Sequence, residues 1–153
     1  MASRRKGRIL AFQALYSWDT HYSQTGKTSI PDGLLDFSWS GTAIDEKMTA
    51  FSRLIVTGTV ENIAAVDRII NEHLQNWELK RLNRVDLAVL RMSVYTLMFQ
   101  NDMPPSVVIN EAVEISKEFG TEDSFRFVNG VLDSIRKSLS GSTPAAVDPM
   151  VQK

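Results

Sequence analysis

The chain has 153 residues, 43% hydrophobic and 23% charged, the profile of one folded domain that buries a core without metal or disulfide support. It contains no cysteine, which excludes disulfides, thiolate zinc sites and cysteine nucleophiles. The net charge of −1 conceals an asymmetry: residues 1–18 carry four basic residues and no acid, leaving 13 basic and 18 acidic residues for the remainder. A short basic end on a mildly acidic body has two readings, a solvated terminus or an arm that binds polyanions.

No apolar run approaches the roughly 18 residues of a membrane span. Arg4-Arg5-Lys6 ahead of Ile9-Leu10-Ala11-Phe12 imitates the start of a signal peptide. Gln13 interrupts the apolar stretch, Trp18-Asp19 ends it, and no small-x-small cleavage site follows. The expectation is a cytoplasmic protein, consistent with the absent cysteine.

The first element is a helix over 4–22, with Ala11, Leu15 and Trp18 on one face and Ile9, Phe12 and Tyr16 beside them. Its cations sit at the leading end, where they oppose the helix dipole by about a few tenths of a kcal/mol. Either the first residues fray or an anion offsets the cost. Residues 23–42 are rich in Ser, Thr and Gly, with Pro31 and Gly33, and read as loop with a short turn near Leu34 to Trp39. Gly26-Lys27-Thr28 looks like the tail of a phosphate loop, but His21 stands where its first Gly belongs and no strand precedes it.

Asp45 caps the next helix. Met48, Phe51, Ile55, Ile63, Val66, Ile69, Ile70 and Leu74 keep one phase, which predicts a single helix of about 30 residues, bent if anywhere at Gly58. Asn83-Arg84-Val85-Asp86 reads as a capping box opening a helix to near Gln100. That helix is apolar on several faces, as a central helix must be. After Pro104-Pro105 a shorter helix spans 106–119, with Gly120 as its C′ residue. The last helix begins within 121–123 and runs to Leu139, burying Val128, Val131, Leu132, Ile135 and Leu139. Gly130 in its interior predicts close approach of another backbone. The tail 140–153 has no period and reads as disordered. The fold class is all-α.

Catalytic material is scarce. His21 and His73 lack metal-ligand spacing, and the paired acids Asp45-Glu46 and Glu122-Asp123 lie at helix starts, where the dipole accounts for them. The chain reads as a binding protein without catalytic residues, metal or cofactor. Phe127 is the informative anomaly, about 100° off the stripe of the last helix, with Asp123 one turn before it and Arg126 further round. An exposed ring beside Arg suits stacking of an unpaired base. The alternative is that Phe127 packs beneath the loop or the N-terminal arm.

At this point the residues resemble a known family. Arg8-Ile-Leu-Ala-Phe-Gln-Ala-Leu-Tyr16 is similar to the opening helix of the NusB family of bacterial transcription antitermination factors. Trp77-x-Leu-x-Arg-Leu-x-x-Val-Asp-x-Ala-Val-Leu-Arg91 resembles its central helix. Val107-Val-Ile-Asn-Glu-Ala-Val-Glu-Ile115, Lys117, Phe119-Gly120, Thr121-Glu-Asp-Ser124 and Phe127-Val-Asn-Gly-Val-Leu-Asp133 match its long C-terminal signature. The resemblance implies two three-helix subdomains, 1–75 and 76–139, packed as one compact helical domain. It implies binding of the single-stranded boxA element of nascent ribosomal RNA together with NusE, a small-subunit ribosomal protein, within an RNA polymerase antitermination complex. It places Arg4, Arg5, Lys6 and Arg8 on RNA, with Asp123 and Phe127 at the RNA site and Arg126 beside them. Tyr16 and Asp86 fall on the NusE surface.

Departures are few. Tyr95-Thr96-Leu97 replaces a common Tyr-Glu-Leu, and Phe125 stands where a polar or small residue is usual, either as a stacking surface or as core. Two other functions compete. One is the NusB-like domain of an RNA cytosine methyltransferase, whose Rossmann-type domain and catalytic Cys would have to lie beyond residue 153. The other is a protein-only helical adaptor, which explains neither the basic arm nor Phe127. A homodimer would hide the surface that meets NusE.

Overall fold

The computed structural model describes residues 2–41, 43–75 and 78–141. Thr42, Trp77 and the tail beyond residue 141, each part of an expectation above, lie outside the described residues. Six helices follow in order: α1 (Ala2–Thr25), α2 (Glu46–Glu61), α3 (Ile63–Glu72), α4 (Arg84–Phe99), α5 (Pro105–Phe119) and α6 (Ser124–Gly141). Short 3-10 turns occupy Leu34–Asp36, Ser38–Ser40 and Leu79–Arg81, and no strand occurs among the described residues.

Helix α4 is the axis of the molecule. Every residue from Asp86 to Thr96 is buried, and α4 packs against each of the other five helices. A helix surrounded in this way has no polar face to give to water, which is why its sequence is apolar on several sides. One continuous core runs from Leu10 in α1 to Ile135 in α6. The connection between α1 and α2 contributes Phe37, fully buried in a left-handed conformation between the two 3-10 turns.

The long helix expected over residues 45–74 is two helices. It breaks at Asn62, whose backbone N–H donates to the carbonyls of Gly58 and Thr59 and whose side-chain Nδ2 donates to Gly58. Val66 N–H in turn donates to the Asn62 carbonyl. Hydrogen bonds thus continue across the break, so the apolar phase survives while the helix does not. Gly58 is not a bend. A Cβ there would fall inside the Tyr95 ring, so the glycine lets α2 close on α4.

Two more glycine expectations change. Gly120 is the C-cap of α5 rather than the residue after it, with φ −93° and ψ −168°. It is glycine because a Cβ would lie 2.8 Å from the Ser116 carbonyl oxygen and 2.6 Å from Ser124 Cβ. Gly130 faces open space rather than a neighbouring backbone.

A buried ion network ties α1, α3 and α4. Arg91 donates through Nη1 to Asp19 at 2.8 Å and through Nε and Nη2 to the two oxygens of Asp67, each at 2.9 Å. Arg84 reaches the other Asp19 oxygen at 3.0 Å. The guanidinium of Arg91 also lies over the rings of Trp18 and Tyr22, at 5.8 and 5.6 Å.

Candidate nucleic-acid interface

The basic arm is helical from Ala2. The anion that offsets its cations comes from α5. Arg5 donates through Nε and Nη2 to the two Glu111 carboxylate oxygens, each at 3.1 Å. Arg8 lies 3.8 Å from the same carboxylate. The hydrogen bonds from Arg5 hold the Glu111 carboxyl below its usual range, against the opposing effect of burial.

Gly7 makes this seating close. A Cβ there would lie 2.7 Å from the Phe51 ring, and Ser52 donates to the Gly7 carbonyl at 2.9 Å. Arg4 and Arg8 consequently sit 5.5 and 5.6 Å from the Phe51 ring centre, each also donating to the Met103 sulfur. Arg8 is buried, not displayed on the open surface, and burial lowers its pKa. Arg5 is half exposed but engaged. Arg4 and Lys6 are exposed and have no carboxylate partner among the described residues. These two are the cations immediately open to a phosphate.

The second cluster forms where α6 begins. Thr121 N–H donates to the buried Ser124 hydroxyl oxygen at 2.9 Å, which fixes the entry into the helix. Phe127 is half-buried, with part of its ring against the core. That corrects the expectation of an exposed ring off the stripe: α6 packs on both α4 and α5, which widens its buried arc. What remains open lines a cavity of about 240 Å³ shared with Arg81, Leu82, Asn83, Asp86, Thr121, Asp123 and Ser124. Asp123 and Arg126 are well exposed and lie 3.7 Å apart. Phe125 joins neither the core nor a bare stacking face, because the cations of Lys117 and Arg126 sit 5.3 and 5.1 Å from its ring centre.

Asn83 is the N-cap of α4, accepting from the backbone N–H groups of Val85 and Asp86 at 2.8 and 3.3 Å. Asp86 is buried, its carboxyl pushed up by desolvation and held partly in check by a hydrogen bond with Ser124. Its Oδ1 has no hydrogen-bond partner. Asp86 therefore belongs to the cavity and is not an open acidic patch. Tyr16 is 46% exposed. It lies on α1 between Phe12, whose ring meets Phe119 of α5, and Asp19, which meets Arg84 of α4. Residues 12, 16 and 19 follow one side of α1, so Tyr16 belongs to the side that meets the end of α5 and the start of α4.

The site residues fall into two clusters. Arg5 and Arg8 meet Glu111 and Arg4 meets Phe51 and Met103, with Lys6 exposed on the same arm, while Asp86, Asp123, Arg126 and Phe127 gather where α4 and α6 begin. Eight residues of α5, about 12 Å, separate Glu111 from Phe119 next to the second cluster. Sequence reasoning missed Glu111, Phe51 and Met103, the groups that seat the arm, and Ser124 and Leu82 in the cavity. Glu111, Leu82 and Ser124 stood in the family-like segments without a role, and Phe51 and Met103 showed only their chemical type, because the arm they meet is distant in sequence. Among the described residues no cluster of His, Asp or Glu could hold a metal, and no helix is long and apolar enough to cross a membrane.

Comparison with known proteins places this geometry in context. The model of the NusB family matches residues 5–137. The transcription antitermination protein NusB of Treponema denticola is 50% identical over 135 residues, covering 87% of this chain and 95% of the relative. The Geobacter sulfurreducens protein of the same name is 42% identical over 139 residues, covering 91% and 97%. Among solved structures, T. maritima NusB superposes with a TM-score of 0.74 at 36% identity, over 88% of this chain and 90% of that one. A crystal structure of antitermination factors NusB and NusE in complex with double-stranded RNA gives 0.77 at 28% identity, over 90% and 98%.

Proposed function

We propose that this chain, which belongs to the NusB family, is an RNA-binding antitermination factor that takes the boxA element of nascent ribosomal RNA as a single strand, jointly with NusE. The joint complex helps RNA polymerase resist termination, in the cytoplasm where the transcript is made. One observation carries the reading: the exposed cations of Arg4 and Lys6 stand on an arm seated against Glu111 of α5, and the half-exposed Phe127 cavity opens where α6 follows that same helix. Phosphates meet Arg4 and Lys6, and an unstacked base meets Phe127. The relative crystallised with NusE and RNA supports both partners.

The NusE contact is assigned to the exposed face around Tyr16. Tyr can cover apolar surface with its ring while its hydroxyl keeps a polar partner. That side of α1 meets the start of α4, where the Phe127 cavity lies, so NusE docked there can extend the RNA surface. Arg126 stands exposed beside that cavity and adds positive charge along the strand.

A gel shift with boxA-like RNA, with and without NusE, tests the proposal. The expected result is a weak complex with the protein alone and a tighter one with NusE. A protein-only adaptor gives no shift at low salt in either lane.

A further inference from the structure

Between α4 and α5 a sulfur stands where two guanidinium groups would ordinarily find oxygen. Arg4 donates through Nη1 and Arg8 through Nη2 to the Met103 sulfur, each at 3.8 Å. A thioether is a weak acceptor. Arg8 is buried, and the Glu111 carboxylate stands 3.8 Å from it. Met103 is half-buried, in a turn closed by its own backbone N–H donating to the Gln100 carbonyl at 3.1 Å. Other thioethers are better shielded: Met92 is buried, and Met48 and Met98 pack against the core. The chain has no cysteine, so its thioethers are the sulfur it offers to an oxidant.

We propose that Met103 is an oxidation site that governs the basic arm: a hydroperoxide converts its thioether to the sulfoxide, whose oxygen holds Arg4 away from RNA. A sulfur lone pair attacks one peroxide oxygen, the S–O bond forms and the O–O bond breaks. Sulfur is oxidised by two electrons and the peroxide is reduced. With hydrogen peroxide the other oxygen collects both protons and leaves as water. Two thiols of a sulfoxide reductase reverse the step, giving a disulfide and water. The sulfoxide oxygen carries partial negative charge and accepts strongly. It enters the space between the sulfur and the two guanidinium groups. Arg8 is buried already, so the change falls on Arg4, which is exposed in the reduced protein. The inference rests on the RNA-binding reading and adds to it a chemical control of one cation.

The test treats the full chain with hydrogen peroxide, quantifies sulfoxide at each methionine by mass spectrometry, and measures anisotropy of boxA-like RNA across a salt series. Oxidation at Met103 should weaken binding at 50 mM salt. Losing one phosphate contact on a single strand lowers the log–log slope by about 0.7, so between 50 and 200 mM the oxidised protein should lose about 2.6-fold less affinity than the reduced one. A methionine sulfoxide reductase should restore both values. In Met103→Leu, whatever its own affinity, peroxide should change neither. Met48→Leu, which removes the sulfur lining the surface beside Arg4, should keep the response. The reductase arm needs no variant, so the proposal stays testable if Met103→Leu fails to fold. A Met103 that stays reduced while Met48 and Met98 oxidise overturns it. So does an unchanged slope with Met103 oxidised, or a response that survives Met103→Leu. Failure of the untreated protein to bind at low salt overturns the RNA-binding reading itself, a different result from binding that ignores peroxide.

Discussion

Replacing Glu111 by Gln should strengthen RNA binding while weakening the fold. In the free protein Glu111 occupies the fork of Arg5 with two hydrogen bonds of 3.1 Å, the geometry a phosphate would need. Removing the charge frees Arg5 for one additional phosphate contact. For a single strand each contact adds about 0.7 to the magnitude of the log–log salt slope. Between 50 and 200 mM salt the variant should therefore lose about 2.6-fold more affinity than the wild type, and it should bind more tightly at the low-salt end. The cost falls on Arg8, which is buried and keeps only the Phe51 ring and the Met103 sulfur. Leaving a buried donor poorly satisfied costs about 1–3 kcal/mol, at roughly 2–4 °C of Tm per kcal/mol. The sign of the pH dependence follows from the lowered Glu111 pKa. Its stabilisation is present above the ordinary carboxylate range and is lost as pH falls through its folded value, so the Tm gap between wild type and variant should close on acidification. Anisotropy across a salt series with parallel thermal melts measures both effects. Weaker binding with an unchanged slope would refute competition and make Glu111 a support that orients Arg5.

Four other outcomes are expected. Phe127→Ala should lower RNA affinity by about 1–3 kcal/mol; because its ring is half-buried, stability should fall by less than the roughly 3–5 kcal/mol of a core Phe, and a melt beside anisotropy separates the two. Gly58→Ala drives a methyl into the Tyr95 ring and should destabilise by about 1–3 kcal/mol without changing RNA affinity per folded molecule; an unchanged Tm would contradict the close α2–α4 approach. Asp86→Asn should raise Tm near neutral pH, because burial penalises the charged form; the wild type is fully relieved of that penalty below the ordinary Asp pKa and bears it as pH rises through the raised one, so the gain should vanish in acid. Tyr16→Ala should weaken capture by NusE in a pull-down with Tm little changed, since the ring is largely open.

Periodicity made most of the helices legible. The stripes of α1 and α6 and the many-sided apolar surface of α4 are properties of spacing, and the structure buries Leu15, Trp18, Val89, Val128 and Ile135 accordingly, while Leu139, expected in the α6 stripe, is 38% exposed. The break at Asn62 was hidden for the same reason, because hydrogen bonds run through it and the apolar phase on either side matches. Glycine was harder to read. Gly58 and Gly120 are explained by Tyr95, Ser116 and Ser124, and for Gly58 the neighbour is far along the chain. The arm was visible as charge, but its seating depends on Glu111, 106 residues from Arg5. Phe127 stood out because a helical wheel put it off the stripe. Packing by two neighbouring helices then covered part of it, a tertiary effect that spacing does not encode. The burial of Asp86 was not legible either, because its position in a capping box says nothing of what α6 lays over it.

The central claim is that one RNA strand runs from the basic arm to the Phe127 cavity. Photo-cross-linking of boxA-like RNA containing 4-thiouridine, in the presence of NusE and read by mass spectrometry of the peptides, tests it most directly. Cross-links at the start of α1 around Arg4 and Lys6 and at the start of α6 around Phe127, on a single RNA molecule, are the predicted result. Cross-links that appear at only one of these two places, or at neither, would contradict it.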